Sequence, residues 1–158
     1  MSIFINNIEY KLIKRLNGGY YSQVFQVEKD NKYYHIRKID TYGIKDLIKD
    51  IPKEVEILSK LTCKNIVKYY NSYENKDKFY ILMEYCAGKN LKKFIKEHNK
   101  NNELIEEDII YNIIKQICIG IKEIHNKNII HRDLKPENIF MNKNMIIKKR
   151  RFWYIKTI

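Results

Sequence analysis

A polar loop at His131–Asn138 carries three side chains whose types and spacing suit the transfer of a phosphoryl group. Asp133 offers a carboxylate that can accept a proton from a hydroxyl, and Lys135 offers a cation that can neutralise a phosphoryl oxygen. Asn138 offers an amide oxygen that can bind a divalent cation. Pro136 stiffens the backbone between these groups, and short apolar runs flank the loop on both sides. A loop held at its ends, with reactive groups in its middle, is typical of an active site.

The sequence of this loop, His-Arg-Asp-Leu-Lys-Pro-Glu-Asn, resembles the catalytic loop of eukaryotic protein kinases. A lysine two residues after the aspartate is similar to the serine/threonine branch of that family rather than the tyrosine branch. The resemblance implies ATP and Mg²⁺ as cofactors and a protein with serine or threonine hydroxyls as substrate. It assigns orientation of the substrate hydroxyl to Asp133, contact with the γ-phosphate to Lys135 and binding of one metal ion to Asn138. A chance polar turn is the alternative interpretation.

Length and composition favour one globular domain. The chain has 158 residues, of which 13% are aromatic and 44% hydrophobic. Its formal charge of +12 would suit an acidic partner. The lysines are spread along the chain without a tight basic cluster, so nucleic acid is not the expected partner. A basic nucleic-acid binder stays open as a third hypothesis.

The cysteines and the hydropathy pattern bear on the expected location. Cys63, Cys86 and Cys118 are odd in number and far apart, so a reducing compartment is expected. Residues 1–7 lack the basic start and the apolar run of a secretory signal. No run approaches the roughly 18 apolar residues of a membrane span. We expect the cytoplasm, with the nucleus as the alternative, and no membrane partner.

Residues 10–38 alternate β-branched or aromatic residues with polar ones, which predicts three antiparallel strands joined by turns. The first turn resembles the glycine-rich loop of kinases, in which backbone amides approach the nucleotide phosphates because side chains are missing. One glycine of that motif is matched here, and small polar residues replace the other two. The resemblance assigns Gly18, Gly19 and Val24 to ATP binding.

The third of these strands is similar to the kinase strand that carries a phosphate-pairing lysine. In that register Arg37 occupies the position of the family's lysine. His35 occupies the position at which the family has a small residue above the adenine. A planar guanidinium is not a conservative replacement for an ammonium at a tight phosphate site. A slip of one residue in the strand register would place Lys38 at that position. It would also move every side chain of the strand to the opposite face of the sheet.

Apolar residues at intervals of three and four predict an amphipathic helix over residues 46–61. Its Glu54 resembles the kinase glutamate that pairs with the cation of the third strand. We therefore expect an Arg37–Glu54 ion pair that would also belong to the ATP site. A solvated helix carboxylate is the alternative for Glu54.

Two further strands are predicted at residues 65–73 and 78–86, on either side of a polar turn. The second resembles the strand and hinge that lie beside the adenine in kinases. By that match Met83 is the gatekeeper, and the backbones of Glu84 and Cys86 bind the adenine edge. Phe140, just after the polar loop, is a further ATP contact by the same resemblance.

Helices are predicted over residues 91–98 and about 106–126, and a hairpin through residues 142–147 is predicted after the polar loop. The isoleucines of the second helix form a stripe that is too broad for burial on one side only. We therefore expect exposed apolar surface there and poor solubility.

The family pattern stops after Lys148, which resembles the lysine three residues before a magnesium-binding Asp-Phe-Gly turn. Residues 149–158 contain no aspartate. A one-nucleotide shift across Trp153-Tyr154 yields glycine, because tryptophan has a single codon and tyrosine codons begin with T. With AT-rich codons the shifted stretch becomes Lys-Glu-Asp-Phe-Gly-Ile-Ser-Lys, so we expect an out-of-frame tail. The alternative is that Lys148–Arg151 forms a nuclear-localisation or nucleic-acid patch.

Together these features predict an α+β, protein-kinase-like bilobal fold. It would have a complete small antiparallel β lobe with one regulatory helix (10–86), the start of an incomplete helical large lobe (87–148) and the tail (149–158), all within one partial kinase domain (1–158). Within the family, residues 69–72 and 138–140 resemble the kinases of the alpha subunit of translation initiation factor two.

The predicted function is that of a serine/threonine kinase sequence with little turnover, because the second magnesium-binding aspartate is missing. A pseudokinase-like interaction module or a pseudogene fragment is the alternative.

Overall fold

A computed structural model describes residues 1–19, 22–42, 51–131, 133–142, 144–149 and 156–157. The chain divides into two compact units. Unit 1 comprises Met1–Lys60 and Lys68–Tyr85, and unit 2 comprises Leu61–Val67 and Cys86–Ile158. The short segment 61–67 therefore packs with unit 2, although it lies between two parts of unit 1 in the sequence.

Among the described residues of unit 1, six strands form one antiparallel sheet in the order β1-β2-β3-β4-β6-β5. The strands are β1 (Ser2–Ile5), β2 (Ile8–Gly19), β3 (Ser22–Lys29), β4 (Lys32–Asp40), β5 (Tyr69–Asn75) and β6 (Lys78–Glu84). One described helix, α1 (Ile51–Ser59), belongs to the same unit.

Tight turns rich in asparagine connect these strands. Asn6 and Asn7 have φ angles of 49° and 62°, and Asp30 and Asn31 have φ angles of 50° and 57°. Asparagine and aspartate tolerate positive φ, and two such residues in succession match the right-handed twist of a hairpin. The turns therefore fix the antiparallel pairing of β1 with β2 and of β3 with β4.

One face of the sheet carries an apolar core. Its buried members come from five different strands and are Ile5, Tyr10, Val27, Ile36 and Leu82. Alternation along β3 and β4 directs Val27 and Ile36 to this face, and β1 contributes Ile5 from the sheet edge. Burial of these side chains, at about 1.5–3 kcal/mol each, is what holds the strands in register.

The three strands predicted between residues 10 and 38 and the two predicted around the 74–77 turn are confirmed. β1 was not predicted, because three consecutive apolar residues show no alternation. The strand predicted from residue 65 begins only at Tyr69. Asn65 instead donates its side-chain amide to Gln116 Oε1 and to the carbonyl of Ile147, which ties the segment to unit 2.

The helix predicted over residues 46–61 is described as α1 from Ile51, and residues 46–50 lie outside the described residues. Ile51 and Leu58 are buried, which fits the apolar spacing that predicted the helix. The helix ends at Ser59, whose hydroxyl donates to the carbonyl of Glu56 at 2.7 Å.

Unit 2 contains the remaining elements. They are β7 (Gly88–Asn90), α2 (Leu91–Lys100), α3 (Glu107–His125), β8 (Ile129–Ile130), a 3₁₀ turn (Pro136–Asn138), β9 (Ile139–Asn142), β10 (Ile147–Lys149) and β11 (Lys156–Thr157). In the part of unit 2 that the structure describes, β10, β9 and β7 form one sheet and β11 pairs with β8. The two predicted helices and the predicted hairpin are confirmed, and β7, β8 and β11 are additions.

The sheet of unit 2 packs against both helices around Phe94, Ile113, Ile139, Met141 and Ile147. A Cβ on Gly88 would come within 1.8 Å of the carbonyl oxygen of Met141, so only glycine lets β7 approach β9 this closely. The predicted α+β class is confirmed by the antiparallel sheets and the separate helices.

Helix α3 exposes part of its apolar stripe, as predicted. Ile113, Gly120 and Ile124 are buried, whereas Ile110 and Ile114 remain 43% and 53% exposed. Within the described residues, no helix has the length and apolar character needed to span a membrane.

We predict that Ile114→Lys reduces aggregation, because it removes exposed apolar surface without opening a cavity. The free energy of unfolding should change by no more than about 0.5 kcal/mol, as is usual for surface substitutions. Light scattering and urea unfolding measure the two quantities. Ile124→Ala is the matched control, since loss of a fully buried side chain should cost about 2–5 kcal/mol. Unchanged aggregation of Ile114→Lys would show that this face is not responsible.

Candidate active site

The polar loop is fixed by its own backbone. The backbone N–H of Asp133 donates to the carbonyl of His131 at 2.8 Å and faces His131 Nδ1 at 3.2 Å. The backbone N–H of Asn138 donates to the carbonyl of Lys135 at 2.9 Å, which closes the 3₁₀ turn that Pro136 begins. His131 and Asn138 are both buried, so the loop is anchored at its two ends.

The three predicted catalytic side chains of this loop lie together. Lys135 Nζ lies 2.8 Å from Asp133 Oδ1. Asn138 Nδ2 donates to Asp133 Oδ2 at 2.7 Å and to the carbonyl of Asp133 at 2.9 Å. Each carboxylate oxygen of Asp133 therefore has a partner on a different side, and the carboxylate is held in one orientation.

These partners determine the charge of the Asp133 carboxyl. Partial burial acts to raise its pKa, but the hydrogen bonds from Lys135 and Asn138 oppose burial, and the net effect lowers the pKa below the usual aspartate value. Asp133 is therefore ionised at neutral pH. A carboxylate with a lowered pKa orients a hydroxyl well but is a weak base.

The orientation of the Asn138 amide bears on metal binding. Both hydrogen bonds that its side chain makes in the described structure use Nδ2, which leaves Oδ1 as a potential ligand. A neutral amide oxygen beside an ionised carboxylate is a donor set that Mg²⁺ accepts. The described residues hold no cluster of three or more His, Cys, Asp or Glu side chains arranged for a metal ion.

In unit 1 the predicted ATP-binding side chains of Val24, Arg37 and Met83 share one face of the sheet with His35. Val24 lies opposite Arg37 in the β3–β4 pairing, and His35 lies opposite Met83 in the β4–β6 pairing. All four side chains are buried. His35 also packs edge-on against Tyr85, with ring centroids 4.9 Å apart.

The predicted Arg37–Glu54 pair is confirmed. Arg37 Nη1 lies 2.7 Å from Glu54 Oε1, and the two side chains are only 6% and 11% exposed. The alternative register is wrong, because Lys38 lies opposite Gln23 and Tyr80 on the other face. The alternative of a solvated Glu54 is wrong as well. Burial raises the pKa of the Glu54 carboxyl above the usual glutamate value, and Arg37 acts against that increase.

The other predicted site residues lie at element ends. Gly18 and Gly19 end β2, and Gly19 pairs with Ser22 after an irregularity in the strand pairing between Leu16 and Gly19. Residues 20–21 lie outside the described residues. The backbone N–H of Glu84 donates to the carbonyl of Lys68 at 2.8 Å. Cys86 is buried in unit 2. Phe140, in β9, lies opposite Asn90 and Lys148.

Sequence reasoning missed two sets of polar contacts in unit 2. Gln116 accepts from the backbone N–H of Ile147 at 2.9 Å and donates to the carbonyl of Met145 at 3.0 Å, which fixes the chain after the polar loop. Lys92 pairs with Glu137 of the polar loop at 2.6 Å. A lone glutamine beside an apolar stripe was a signal for the first contact. The second joins residues 45 positions apart, and nothing in the local sequence indicates it.

Known proteins share sequence similarity with this chain. A family model described as the protein kinase domain matches residues 10–150 of the chain. The chain is 34% identical over 144 residues to the serine/threonine-protein kinase Nek5 of Homo sapiens, covering 89% of this chain and 20% of that protein. It is 31% identical over 158 residues to the probable serine/threonine-protein kinase nek2 of Dictyostelium discoideum, covering 95% and 38%.

A third relative is the Aurora kinase of Saccharomyces cerevisiae, to which the chain is 32% identical over 152 residues. That alignment covers 93% of this chain and 40% of the relative. The chain thus spans between about a fifth and two fifths of the length of these three relatives.

We predict that Arg37→Met destabilises unit 1 by about 3–5 kcal/mol at pH 8, because it leaves a buried carboxylate without its partner. Since the folded-state pKa of Glu54 is raised, stability linked to this group falls as pH rises above the usual glutamate pKa. Removing the cation raises that pKa further, so the loss should be smaller at pH 5. Urea unfolding of both proteins at pH 5 and at pH 8 measures this loss in the free energy of unfolding. An equal loss at the two pH values would contradict this explanation. The control variant Arg37→Met/Glu54→Leu removes the buried carboxylate as well and should recover most of the stability.

We also predict that Asn138→Ala raises the pKa of Asp133, because a hydrogen bond to the ionised form is lost. In the unmodified chain this carboxylate adds stability above the usual aspartate pKa, and that contribution disappears as pH falls through the lowered value. Carboxyl carbon NMR over a pH titration reports the pKa. Asn112→Ala is the control and should leave Asp133 unchanged. An unaltered pKa in Asn138→Ala would show that the contact does not form in solution.

Proposed function

The chain belongs to the serine/threonine protein kinase family, and from that premise we propose that it binds ATP with magnesium and holds a protein hydroxyl for phosphoryl transfer. One observation carries the proposal, namely that Asp133 is held between Lys135 and Asn138 in the polar loop. Phosphoryl transfer requires mostly positioning and neutralisation of charge, and these three side chains supply both. We further propose that unit 1 is the small lobe of the kinase domain and unit 2 the start of the large lobe.

In this proposal Asp133 orients the hydroxyl of the protein substrate. Its carboxylate is ionised and has a fixed direction, so it can accept a hydrogen bond from a serine or threonine hydroxyl. Its lowered pKa favours orientation over early removal of the proton. As the hydroxyl oxygen bonds to the γ-phosphorus, the bond from that phosphorus to the β-phosphate oxygen breaks and ADP leaves. The hydroxyl proton would pass to the Asp133 carboxylate late in this step.

Lys135 provides the cation for the transferred phosphoryl group. Its side chain is 45% exposed, whereas that of Asp133 is 20% exposed. A flexible, accessible ammonium can leave its carboxylate partner and contact a phosphate oxygen instead. The Lys135–Asp133 ion pair therefore represents a resting arrangement that substrate would reorganise.

Asn138 would contribute one oxygen ligand to magnesium. The ion, when bound, neutralises charge on the phosphates of ATP. Mg²⁺ usually takes few protein ligands and completes its octahedron with phosphate oxygens and water, so a single amide is a usable but weak anchor. Residues 149–158 supply no aspartate or glutamate as a second ligand. We propose that this chain binds the nucleotide but turns it over very slowly.

Unit 1 would bind the rest of ATP. The family resemblance assigns the phosphates to Arg37, Gly18 and Gly19, and burial of the Arg37–Glu54 pair favours a fixed guanidinium. The same resemblance assigns Val24, Met83 and Glu84 of unit 1 to ATP binding. Its two other assignments, Cys86 and Phe140, belong to unit 2. The proposed partners are ATP and a protein with serine or threonine hydroxyls, and the proposed location is the cytoplasm.

A second candidate function is a non-catalytic interaction module of the same fold. The observation that favours it is His35, which is 2% exposed and lies on the same sheet face as Val24 and Met83. An imidazole at this point takes up space where the family has a small side chain. A module of this kind would bind protein partners without nucleotide.

We predict that ATP with magnesium raises the thermal midpoint of the chain and that ATP without magnesium raises it less, because ligand binding to the folded state stabilises it. In Asn138→Ala, magnesium should no longer increase the shift in thermal midpoint, and the smaller shift caused by ATP alone should remain. Thermal-shift titration measures both. If ATP gives no shift in the unmodified chain but stabilises His35→Ala, the imidazole blocks the adenine site and the interaction module is the better account.

A further inference from the structure

Helix α2 carries a continuous row of lysines on its exposed side. Lys92, Lys93, Lys96 and Lys100 are all exposed, whereas Phe94 on the opposite side is buried. At about 100° per residue, the four lysines fall within an arc of about 100° around the helix axis. We call these four residues the lysine face.

The lysine face begins at the polar loop. Lys92 Nζ lies 2.6 Å from Glu137 Oε1, and Glu137 stands between Lys135 and Asn138 in the sequence. Asn90, which caps α2 by accepting from the backbone N–H of Lys93 at 2.9 Å, also donates to the carbonyl of Glu137 at 3.4 Å. These contacts lie within unit 2 and fix the first turn of the helix beside the catalytic side chains.

Three carboxylates near this surface have lysine partners. Lys135 pairs with Asp133 and Lys92 pairs with Glu137. Glu97, the one acidic residue of α2, pairs with Lys89 and lies 3.9 Å from Lys93. These three carboxylates are thus neutralised, and their lysine partners with them.

Two lysines of the face remain. Lys96 and Lys100 form no ion pair with any carboxylate in the part of the chain that the structure describes. Glu103, which follows the helix and donates its backbone N–H to the carbonyl of His98, pairs with neither. The second and third turns of α2 therefore carry two lysine charges that no ion pair compensates, and these attract acidic groups over about a Debye length.

We propose that the lysine face binds an acidic segment of the protein substrate, next to the hydroxyl that Asp133 orients. This inference rests on the proposed function. Lys96 and Lys100 are one helical turn apart, about 6 Å along the axis. Side chains two residues apart in an extended segment are separated by about 6.6 Å. The spacing fits acidic residues at alternate positions of an extended peptide.

Nucleic acid fits this surface less well than an acidic peptide does. Single-stranded nucleic acid is usually bound by cations together with exposed aromatic rings on which bases stack. The aromatic residue of α2, Phe94, is 5% exposed and belongs to the core of unit 2. A protein segment needs only the cations and the adjacent polar loop.

Fluorescence anisotropy tests the proposal with the full 158-residue chain and two labelled peptides of equal length. One contains serine followed by glutamates at alternate positions, and in the other lysines replace the glutamates. We expect the acidic peptide alone to bind, and its Kd to rise at least tenfold in Lys96→Glu/Lys100→Glu. The control Lys64→Glu/Lys115→Glu makes the same change in net charge at exposed positions elsewhere in unit 2 and should alter Kd less than twofold.

Three results would overturn the proposal: equal weakening in both double variants, no weakening in either, or tighter binding of a single-stranded RNA oligonucleotide than of the acidic peptide. Lys96→Gln/Lys100→Gln removes the two charges without reversing them, which keeps the test valid if Lys96→Glu/Lys100→Glu misfolds. It should weaken binding to an intermediate extent. ATP with magnesium should stabilise Lys96→Glu/Lys100→Glu as it does the unmodified chain. If ATP stabilises neither while the peptide results hold, the catalytic proposal fails and the acidic docking surface stands.

Discussion

The contact between the Asn138 amide and the Asp133 carboxylate is the interaction on which the proposed chemistry depends. Asn138 is 1% exposed, so its polar atoms need partners inside the protein, and its nitrogen finds two on Asp133. That requirement fixes the direction of the carboxylate and the turn between the two residues. It also leaves the amide oxygen for a cation. A single buried amide thereby determines where the hydroxyl and the metal would lie.

A second buried polar contact serves unit 1 in a comparable way. Arg37 and Glu54 join β4 to α1, and both are almost fully removed from solvent. A pair of this kind adds little net stability, because desolvation offsets most of the attraction, but losing one partner is costly. The exchange of lysine for arginine at this position keeps the charge and changes its geometry. The position of α1 therefore depends on a guanidinium rather than an ammonium.

The parts of the fold that the sequence predicted are those governed by local rules. Alternation located five strands of the sheet, helical spacing located both helices of unit 2, and the polar loop kept its three catalytic candidates together because they lie within six residues. The failures have tertiary causes. Residues 65–67 look like a strand but belong to unit 2, because Asn65 finds its partners in Gln116 and Ile147. The approach of β7 to β9 depends on Gly88 and cannot be inferred from three residues.

The most direct test of the central claim is to locate the metal and nucleotide on the polar loop. NMR spectra of the ¹⁵N-labelled chain would be recorded during titration with the paramagnetic complex of Mn²⁺ and ATP. We expect the side-chain amide signal of Asn138 to broaden at substoichiometric complex, while that of the exposed Asn112 on α3 keeps its intensity. Equal loss of intensity at both amides, or none at Asn138, would contradict it.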